Sequence, residues 1–336
     1  MMYYDRRLED HVCDLLATGE PLDWLVGFVK SNENHRLDFR RADGGRHHGS
    51  LQLYVGRTSP LEVIGTRAPD KFKLTANARY RKCSPKLFSA APKKRNVVVS
   101  RAQLRLLEKD LRDHIQRVTN PKTSAHQATL KSFTGGEAVS HMGMMHRYGL
   151  FHSVGDPLIA VDSEIVIGFR KDKNGPYKNG TEHKNQDKLD LKKAIPSLKR
   201  NHKKLDTLAV LPDGDVALVE VKDEGGDILC ALQQAAVHMH RFQALMRTPG
   251  FSLHTIVEGI IDQKVRAGLL PPHAIGVLSE APTLIPVVAA PDKSNRGWVN
   301  KWLTPEAKLF IAHTPLLKNL RFWRLSPKGD LLDVSP

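Results

Sequence analysis

The stretch from Leu205 to Lys222 constrains the fold of this chain more than any other. Its sequence, LDTLAVLPDGDVALVEVK, contains two apolar runs joined by a Pro-Asp-Gly turn, which is the pattern of a β-hairpin. Asp206 lies at the start of the first strand, and Glu220 and Lys222 lie at the end of the second. A desolvated carboxylate needs a partner, because burial of an unpaired charge is costly. Two carboxylates and a lysine at one end of an apolar hairpin therefore predict a functional site.

The alternation of side chains along a strand predicts how these groups are arranged. Glu220 and Lys222 should project to the same face, and pairing across a turn at Pro212–Asp215 should bring Asp206 beside Glu220. Carboxylate oxygens are suitable ligands for Mg²⁺, which would hold both acids together. The simpler interpretation is that Asp206 only begins a strand, while Glu220 and Lys222 form an ordinary ion pair.

The arrangement resembles the PD-(D/E)XK nuclease superfamily, which has the restriction-endonuclease-like fold. In that superfamily an acid precedes a hairpin that ends in Glu-x-Lys or Asp-x-Lys, and here Asp206 and the triplet Glu220-Val221-Lys222 match. The resemblance implies that Asp206, Glu220 and the Val221 carbonyl ligate Mg²⁺, with Mn²⁺ as a substitute. It also implies that Lys222 orients or deprotonates the attacking water. Leu205 departs from the pattern, since a proline often precedes the first acid.

Two further catalytic residues follow from the same resemblance, which covers residues 135–245. A glutamate often lies on the helix before the hairpin, and Glu137 is the best-placed residue, with Glu164 as the alternative. A glutamine often lies on the helix after the Glu-x-Lys strand, where Gln234 stands beside Gln233. The frequent tyrosine four positions later is absent, and the sequence has His238 there instead.

The charge of the chain points to a polyanionic partner. Lysine and arginine number 51 against 36 acidic residues, an excess of 15. Residues 57–117 contain 16 basic and 5 acidic residues, and residues 170–204 contain 12 basic and 4 acidic residues. The positive charge is therefore concentrated in these two segments, and the rest of the chain is slightly acidic. Clustered basic residues are typical of nucleic-acid binding, because neutralised phosphates release counterions. A solvated basic surface is the alternative.

Local patterns predict the remaining elements. Helices are expected at 5–16, from Pro21 to Lys30, at 100–117 with Ser100 as its cap, at 135–148, and at 228–246 with Asp227 as its cap. Strands are expected at 51–56, 61–65, 158–169, 254–261, 274–279 and 285–290, and a loop or flap from Arg170 to about Asp190. The aromatic residues Phe72, Tyr80 and Phe88 lie among basic residues, where they could stack on bases or anchor a core.

Other classes of function have less support. No stretch is apolar over the ~20 residues that cross a bilayer, and the charged N-terminus is unlike a signal peptide. His47 and His48, or His238 and His240, have no matching ligands at zinc spacing. Walker-type and G-x-S-x-G motifs are absent from the sequence. With three cysteines far apart, a reducing, cytoplasmic setting is expected.

These observations define one hypothesis. The fold class is α/β, with a restriction-endonuclease-like core built on a central mixed β-sheet flanked by helices, and an N-terminal α+β basic domain. Residues 1–117 form that accessory domain, 118–127 a linker, and 128–336 the nuclease-like domain, with a basic insertion at 170–204. The function is metal-dependent hydrolysis of phosphodiester bonds by an endonuclease.

The hypothesis also specifies partners and alternatives. The substrate is nucleic acid; the resemblance implies DNA, whereas composition does not distinguish DNA from RNA. No membrane partner is expected, and a homodimer or larger complex is compatible with the sequence. The competing interpretations are a non-catalytic nucleic-acid-binding protein on the same scaffold and a protein-interaction or assembly factor.

Overall fold

A computed structural model describes most of the chain. The described residues are 2–40, 48–56, 58–88, 96–119, 136–169, 180–196, 198, 204–222, 227–291, 303–326 and 328–335. They form a mixed α/β structure with two main sheets, one antiparallel and one mixed. The α/β class expected from the sequence is therefore confirmed.

The first sheet is a five-stranded antiparallel meander in the N-terminal part of the chain. Its strands follow one another in the order β2 to β6: β2 His35–Arg40, β3 Ser50–Val55, β4 Thr58–Gly65, β5 Lys71–Thr75 and β6 Val97–Ser100. The helices of this region are α1 Asp10–Cys13, α2 Asp23–Lys30, α3 Ala78–Arg81, α4 Arg101–Leu106 and α5 Glu108–Thr119. The apolar side chains of one sheet face pack with helix residues such as Leu25 and Leu111 in a common core.

The second sheet has six strands and carries the hairpin. The strands lie in the order β13-β12-β11-β10-β9-β7, with β7 Ile159–Val166, β9 Lys204–Val210, β10 Val216–Val221, β11 Leu284–Pro291, β12 Arg321–Leu325 and β13 Leu331–Ser335. Strands β10, β11 and β12 run parallel, and the other pairs run antiparallel. Every residue of β10 is buried, because both faces of the sheet are covered.

Helices cover the two faces of the second sheet. They are α6 Gly136–Met145, continued by one π-helical turn at His146–Leu150, then α7 Gly180–Ala194, α8 Ile228–Met246, α9 Leu253–Arg266 and α10 Pro305–Ala312. Residues of α6 pack with Trp323 and Ala217 on one side. Residues of α8 and α9 pack with Leu208 and Leu218 on the other. The hairpin is thus held between two apolar layers.

A glycine closes the β9–β10 turn. Gly214 has φ +83°, and a side-chain carbon there would come within 2.6 Å of the Ser279 backbone nitrogen. Only glycine fits this combination of left-handed backbone and close approach. The predicted hairpin, its turn and the following helix with its Asp227 cap are confirmed, since Asp227 accepts a hydrogen bond from the Cys230 N–H.

Several sequence predictions were wrong in detail. The strand predicted at 254–261 is part of helix α9, and the strand predicted at 274–279 is replaced by a short 3₁₀ turn at Pro272–Ala274 and irregular chain. The flap predicted at 170–190 contains helix α7 from Gly180 onward. The helix predicted at 5–16 is an α-helical turn at Asp10–Cys13 followed by a 3₁₀ turn, and that at 100–117 breaks at Leu107.

The structure also decides between the two interpretations of the aromatic residues in the basic N-terminal region. Phe72, Tyr80 and Phe88 are all buried, so they are core anchors and not a stacking surface. The linker prediction at 118–127 falls mostly outside the described residues, since α5 ends at Thr119 and the chain is described again from residue 136. The first described residues form a separate two-stranded sheet, in which β1 (Met2–Tyr3) pairs with β8 (Gly168–Phe169), and Tyr4 packs in the apolar cluster of the second sheet.

Candidate functional site

The hairpin opens at the end that carries the predicted acids. The β9–β10 ladder runs from Val210 opposite Val216 to Thr207 opposite Val219 and stops there. The next residues on the two strands are Asp206 and Glu220, which therefore face each other just beyond the last pair. The Val221 N–H donates to Asp206 Oδ2 at 2.9 Å, so the Asp206 carboxylate closes the gap between the diverging strands.

Glu220 is the most enclosed member of the site. Its side chain has no exposed surface, and its two oxygens face different partners. Lys222 Nζ lies 3.7 Å from Glu220 Oε2, and its side chain remains 14% exposed. His238 Nε2, from helix α8, lies 3.1 Å from Glu220 Oε1. The structure thus brings Asp206, Glu220 and Lys222 together at one end of the hairpin, with His238 beneath Glu220.

The two carboxylates oppose each other's ionisation. Burial raises the pKa of Asp206, and the negative charge of Glu220 raises it further, to about 6. His141, Lys222 and the Val221 N–H act in the opposite direction but offset only part of this effect. A pair of like charges held together in this way is stabilised by a bound cation. The raised pKa is also typical of a functional site, although structural clusters can produce it.

Two histidines that the sequence analysis did not assign to the site adjoin it. Burial lowers the pKa of His238 to about 3, and the Arg241 guanidinium lowers it too, so the ring is neutral at neutral pH. The ring also donates to the Lys204 backbone carbonyl, and because a neutral imidazole carries one N–H, Nε2 approaches Glu220 Oε1 at 3.1 Å as a close contact and not as a hydrogen bond. His141, on helix α6, lies 2.8 Å from the Thr207 hydroxyl, and burial lowers its pKa. The sequence indicated His238 only as the residue at the tyrosine position.

The residues proposed as accessory members are placed differently. Glu137 lies in the first turn of α6, but its side chain is outside the described part of the structure. Gln234 is half-buried on α8, one turn before His238, and its Oε1 contacts the Cys230 sulfur at 3.7 Å. Gln233 is buried. The structure therefore leaves the catalytic roles of Glu137 and Gln234 as predictions.

Glu164, the alternative acid, lies opposite Asp206 on the neighbouring strand, β7. The register pairs Ser163 with Thr207 and Ile165 with Leu205, which puts Glu164 opposite Asp206. Its backbone has φ +48°, a left-handed conformation that is uncommon for a residue with a side chain. Its carboxylate lies 3.2 Å from Arg40 and 3.1 Å from Lys204. Burial opposes its ionisation, but the Arg36, Lys204 and Arg40 charges lower the pKa of Glu164.

The basic segment 170–204 contributes a helix at the back of α8. Asp187 of α7 forms a buried ion pair with Arg241 of α8, at 2.8 Å. Leu191 and Ile195 pack in the same apolar cluster as α8 and α10. One flank of α7 is exposed and carries lysines four residues apart: Lys184, Lys188 and Lys192. Helix α7 therefore presents a row of exposed lysines on this flank.

The described residues contain no group of three or more His, Cys, Asp or Glu side chains arranged to hold a metal ion. Mg²⁺ does not need such a group, because one or two carboxylates commonly bind it together with water and phosphate oxygens. Asp206 and Glu220 supply two carboxylates, and their mutual repulsion suits a cation. The donor set therefore fits Mg²⁺. Among the residues that the structure describes, no helix is long and apolar enough to cross a membrane.

Comparison with known proteins adds no assignment to this geometry. No protein-family model matches the sequence, and neither the curated proteins nor the solved structures give a match.

Proposed function

We propose that this chain is a metal-dependent nuclease that hydrolyses phosphodiester bonds, acting as an endonuclease on DNA. One observation carries the proposal. The hairpin ladder ends where Asp206 and Glu220 face each other, and Lys222 Nζ is held 3.7 Å from Glu220. An ordinary hairpin has no reason to place two carboxylates together, because each raises the free energy of ionising the other.

The surrounding elements support a restriction-endonuclease-like core. The hairpin belongs to a mixed sheet, a helix (α6) precedes it, and a capped helix (α8) follows the Glu-x-Lys strand. This order is the one that the resemblance of Asp206 and Glu220-Val221-Lys222 leads us to expect. The core assignment is part of the proposal.

The residues divide the chemistry between them. Asp206, Glu220 and the Val221 carbonyl would hold Mg²⁺, or Mn²⁺ in its place. Such an ion lowers the pKa of a bound water and stabilises charge on the phosphate. Lys222, whose ammonium is partly exposed beside Glu220, would orient or deprotonate the attacking water. His238 lies against the Glu220 carboxylate on the protein side, with Nε2 3.1 Å from Oε1, and would limit where that carboxylate can move.

The basic surfaces would bind the substrate backbone. Lys184, Lys188 and Lys192 form an exposed row along α7, which packs on the same helix, α8, that carries His238. The basic N-terminal region, roughly residues 1–117, would add further contacts. Phosphate contacts position a strand without reading its sequence, so these surfaces are expected to bind many sequences.

A non-catalytic nucleic-acid-binding protein is the second candidate. The observation in its favour is that Glu220 already contacts both Lys222 and His238, as a carboxylate with a structural role would. This candidate predicts DNA binding without cleavage. A protein-interaction factor predicts neither.

The deciding experiment is incubation of the protein with supercoiled plasmid and Mg²⁺ or Mn²⁺, with EDTA as the blank. Glu220→Gln and Lys222→Met keep the size of the side chains and should abolish cleavage. Glu33→Gln and Lys318→Met make the same chemical changes at exposed positions and should cut like wild type.

Three results would speak against the proposal in different ways. Intact plasmid that shifts in a gel favours the non-catalytic candidate. Equal cleavage by wild type, Glu220→Gln and Lys222→Met rejects the site. Absence of both cleavage and salt-dependent DNA binding favours the interaction factor. Single-stranded DNA and RNA, tested in parallel, identify the substrate class.

A further inference from the structure

A polar pocket of about 420 Å³ lies beside the candidate active site. One wall comes from the N-terminal sheet and the residues after β5, with Gln52, Ser59, Glu62 and Asn77 among its lining. The other wall comes from the second sheet, with Glu164 and Lys204. The pocket is therefore made jointly by the two sheets.

The pocket is close to the proposed catalytic acids along the strand. Lys204 precedes Asp206 by two residues on β9, which is ~7 Å at the rise of a β-strand. Glu164 lies opposite Asp206 in the register of β7 and β9, and its carboxylate binds Lys204 at 3.1 Å. A nucleic-acid strand with one phosphate at Asp206 would thus bring a neighbouring nucleotide to the mouth of this pocket.

The polar groups of this wall are held in fixed positions. Arg40 Nη2 donates to the Tyr54 hydroxyl at 3.1 Å, and that hydroxyl donates to Gln52 Oε1 at 2.9 Å. This chain fixes the Gln52 amide, so that its NH₂ group is turned away from Tyr54. The Ser50 hydroxyl donates in the same way to Glu62 Oε1 at 2.7 Å. Tyr54 and Ser50 are buried although they lie on the polar face of the sheet.

The charge of the lining discriminates between ligands. Glu164 is paired with the Arg40 and Lys204 cations, whereas the Glu62 carboxylate accepts from the neutral Ser50 hydroxyl, so Glu62 would repel a phosphate placed beside it. Amide, hydroxyl and carboxylate groups instead match the edge of a neutral, planar heterocycle. Amides pair with adenine edges, and carboxylates accept from the amino group of cytosine. The volume lies within the range of small-ligand pockets.

We infer that this pocket receives one nucleobase of the substrate strand, unpaired or rotated out of the duplex, next to the phosphate that is cut. Enzymes that bind a base in this way read it by hydrogen bonds to its polar edge, and they bind single strands most readily because no base pair has to open. The inference rests on the proposed function for its substrate, and it adds a base-binding position to it.

The test is equilibrium binding of fluorescent oligonucleotides, followed by anisotropy in EDTA so that nothing is cut. A single strand with bases is compared with an abasic strand of the same length and charge. Wild type should bind the strand with bases at least about tenfold more tightly, a gain within the range found for base contacts. The double variant Gln52→Ala/Asn77→Ala should lose most of this ratio. Glu62→Gln, which keeps the shape of the side chain, should change which base is preferred.

Two controls make the result specific to the pocket. Gln116→Ala alters an exposed glutamine on α5 and should keep the wild-type ratio. Thermal unfolding of each variant checks that the fold is retained. Equal binding of both strands by wild type overturns the inference, and so does an unchanged ratio in the double variant. The binding assay involves no cleavage, so the two hypotheses can fail separately. If the plasmid stays intact but the strand with bases still binds more tightly than the abasic strand, only the proposed nuclease activity is rejected. If the plasmid is cut but both strands bind equally, only the proposed base-binding pocket is rejected.

Discussion

Replacing Asp206 by asparagine should stabilise the metal-free protein while abolishing its proposed activity. The Asp206 carboxylate is buried beside Glu220, and its pKa rises from the ordinary value of 3.8 to about 6. Each tenfold change in a dissociation constant corresponds to about 1.4 kcal/mol, so ionisation of this group opposes folding by about 3 kcal/mol at neutral pH. Asparagine has no charge, and its amide oxygen can still accept the Val221 N–H.

The sign of the effect fixes its pH dependence. Between about pH 4 and pH 6 the folded protein holds a proton on Asp206 that the unfolded chain has released, so stability falls as the pH rises through this window. Above pH 6 the difference is constant. The free energy of unfolding of Asp206→Asn should thus equal that of wild type near pH 4 and exceed it by about 3 kcal/mol at pH 8. For a chain of this size the unfolding temperature should rise by about 5 °C.

The assay is urea and thermal unfolding in EDTA at several pH values between 4.5 and 8. Asp262→Asn makes the same change at an exposed position on α9 and should stay within about 0.5 kcal/mol of wild type throughout. Addition of Mg²⁺ should raise the unfolding temperature of wild type and not of Asp206→Asn. The reasoning is refuted if Asp206→Asn is no more stable than wild type at pH 8, or if its gain is the same at pH 4.5.

Three further outcomes are expected. Changing the three α7 lysines, Lys184, Lys188 and Lys192, to glutamine should lower the salt dependence of DNA binding. The slope of log K against log[KCl] should become smaller in magnitude by nearly 3. The same change at the exposed Lys30, Lys308 and Lys318 should leave this slope unchanged. Arg241→Ala should lower the free energy of unfolding in urea by about 3–5 kcal/mol, because Asp187 stays buried without its cation. His238→Phe should weaken Mg²⁺ binding in calorimetry about tenfold, because an apolar ring replaces the polar one that contacts Glu220 Oε1 at 3.1 Å; unchanged affinity would show that this contact does not position Glu220.

The hairpin could be predicted because local rules agree there. Apolar runs of strand length, a Pro-Asp-Gly turn and the Asp227 cap each indicate the same structure, and the side-chain period then places Asp206 beside Glu220. The site members missed by this reasoning come from distant segments. His141 reaches Thr207 from α6 and His238 reaches Glu220 from α8, and nothing in their local sequence indicates these contacts.

The errors also have physical causes. Residues 254–261 are rich in β-branched side chains, which favour strands, yet Ile256, Val257, Ile260 and Ile261 recur at helical spacing and are buried on one side of α9. Helix α7 has little apolar periodicity, because the buried Asp187–Arg241 pair occupies much of its contact with α8. An ion pair between segments more than fifty residues apart cannot be read from one of them.

The contacts of residues 2–4 with segments far along the chain have a consequence for synthesis of the protein. Tyr3 pairs with Gly168, while Tyr4 packs its ring against Phe242 and donates to Asp162. On a ribosome that adds 5–20 residues per second, Tyr4 is made roughly 10–50 s before Phe242. During that time the Tyr4 ring has to remain available for Phe242. The time taken to make the chain, and not only its stability, therefore determines when Tyr4 and Phe242 can pack together.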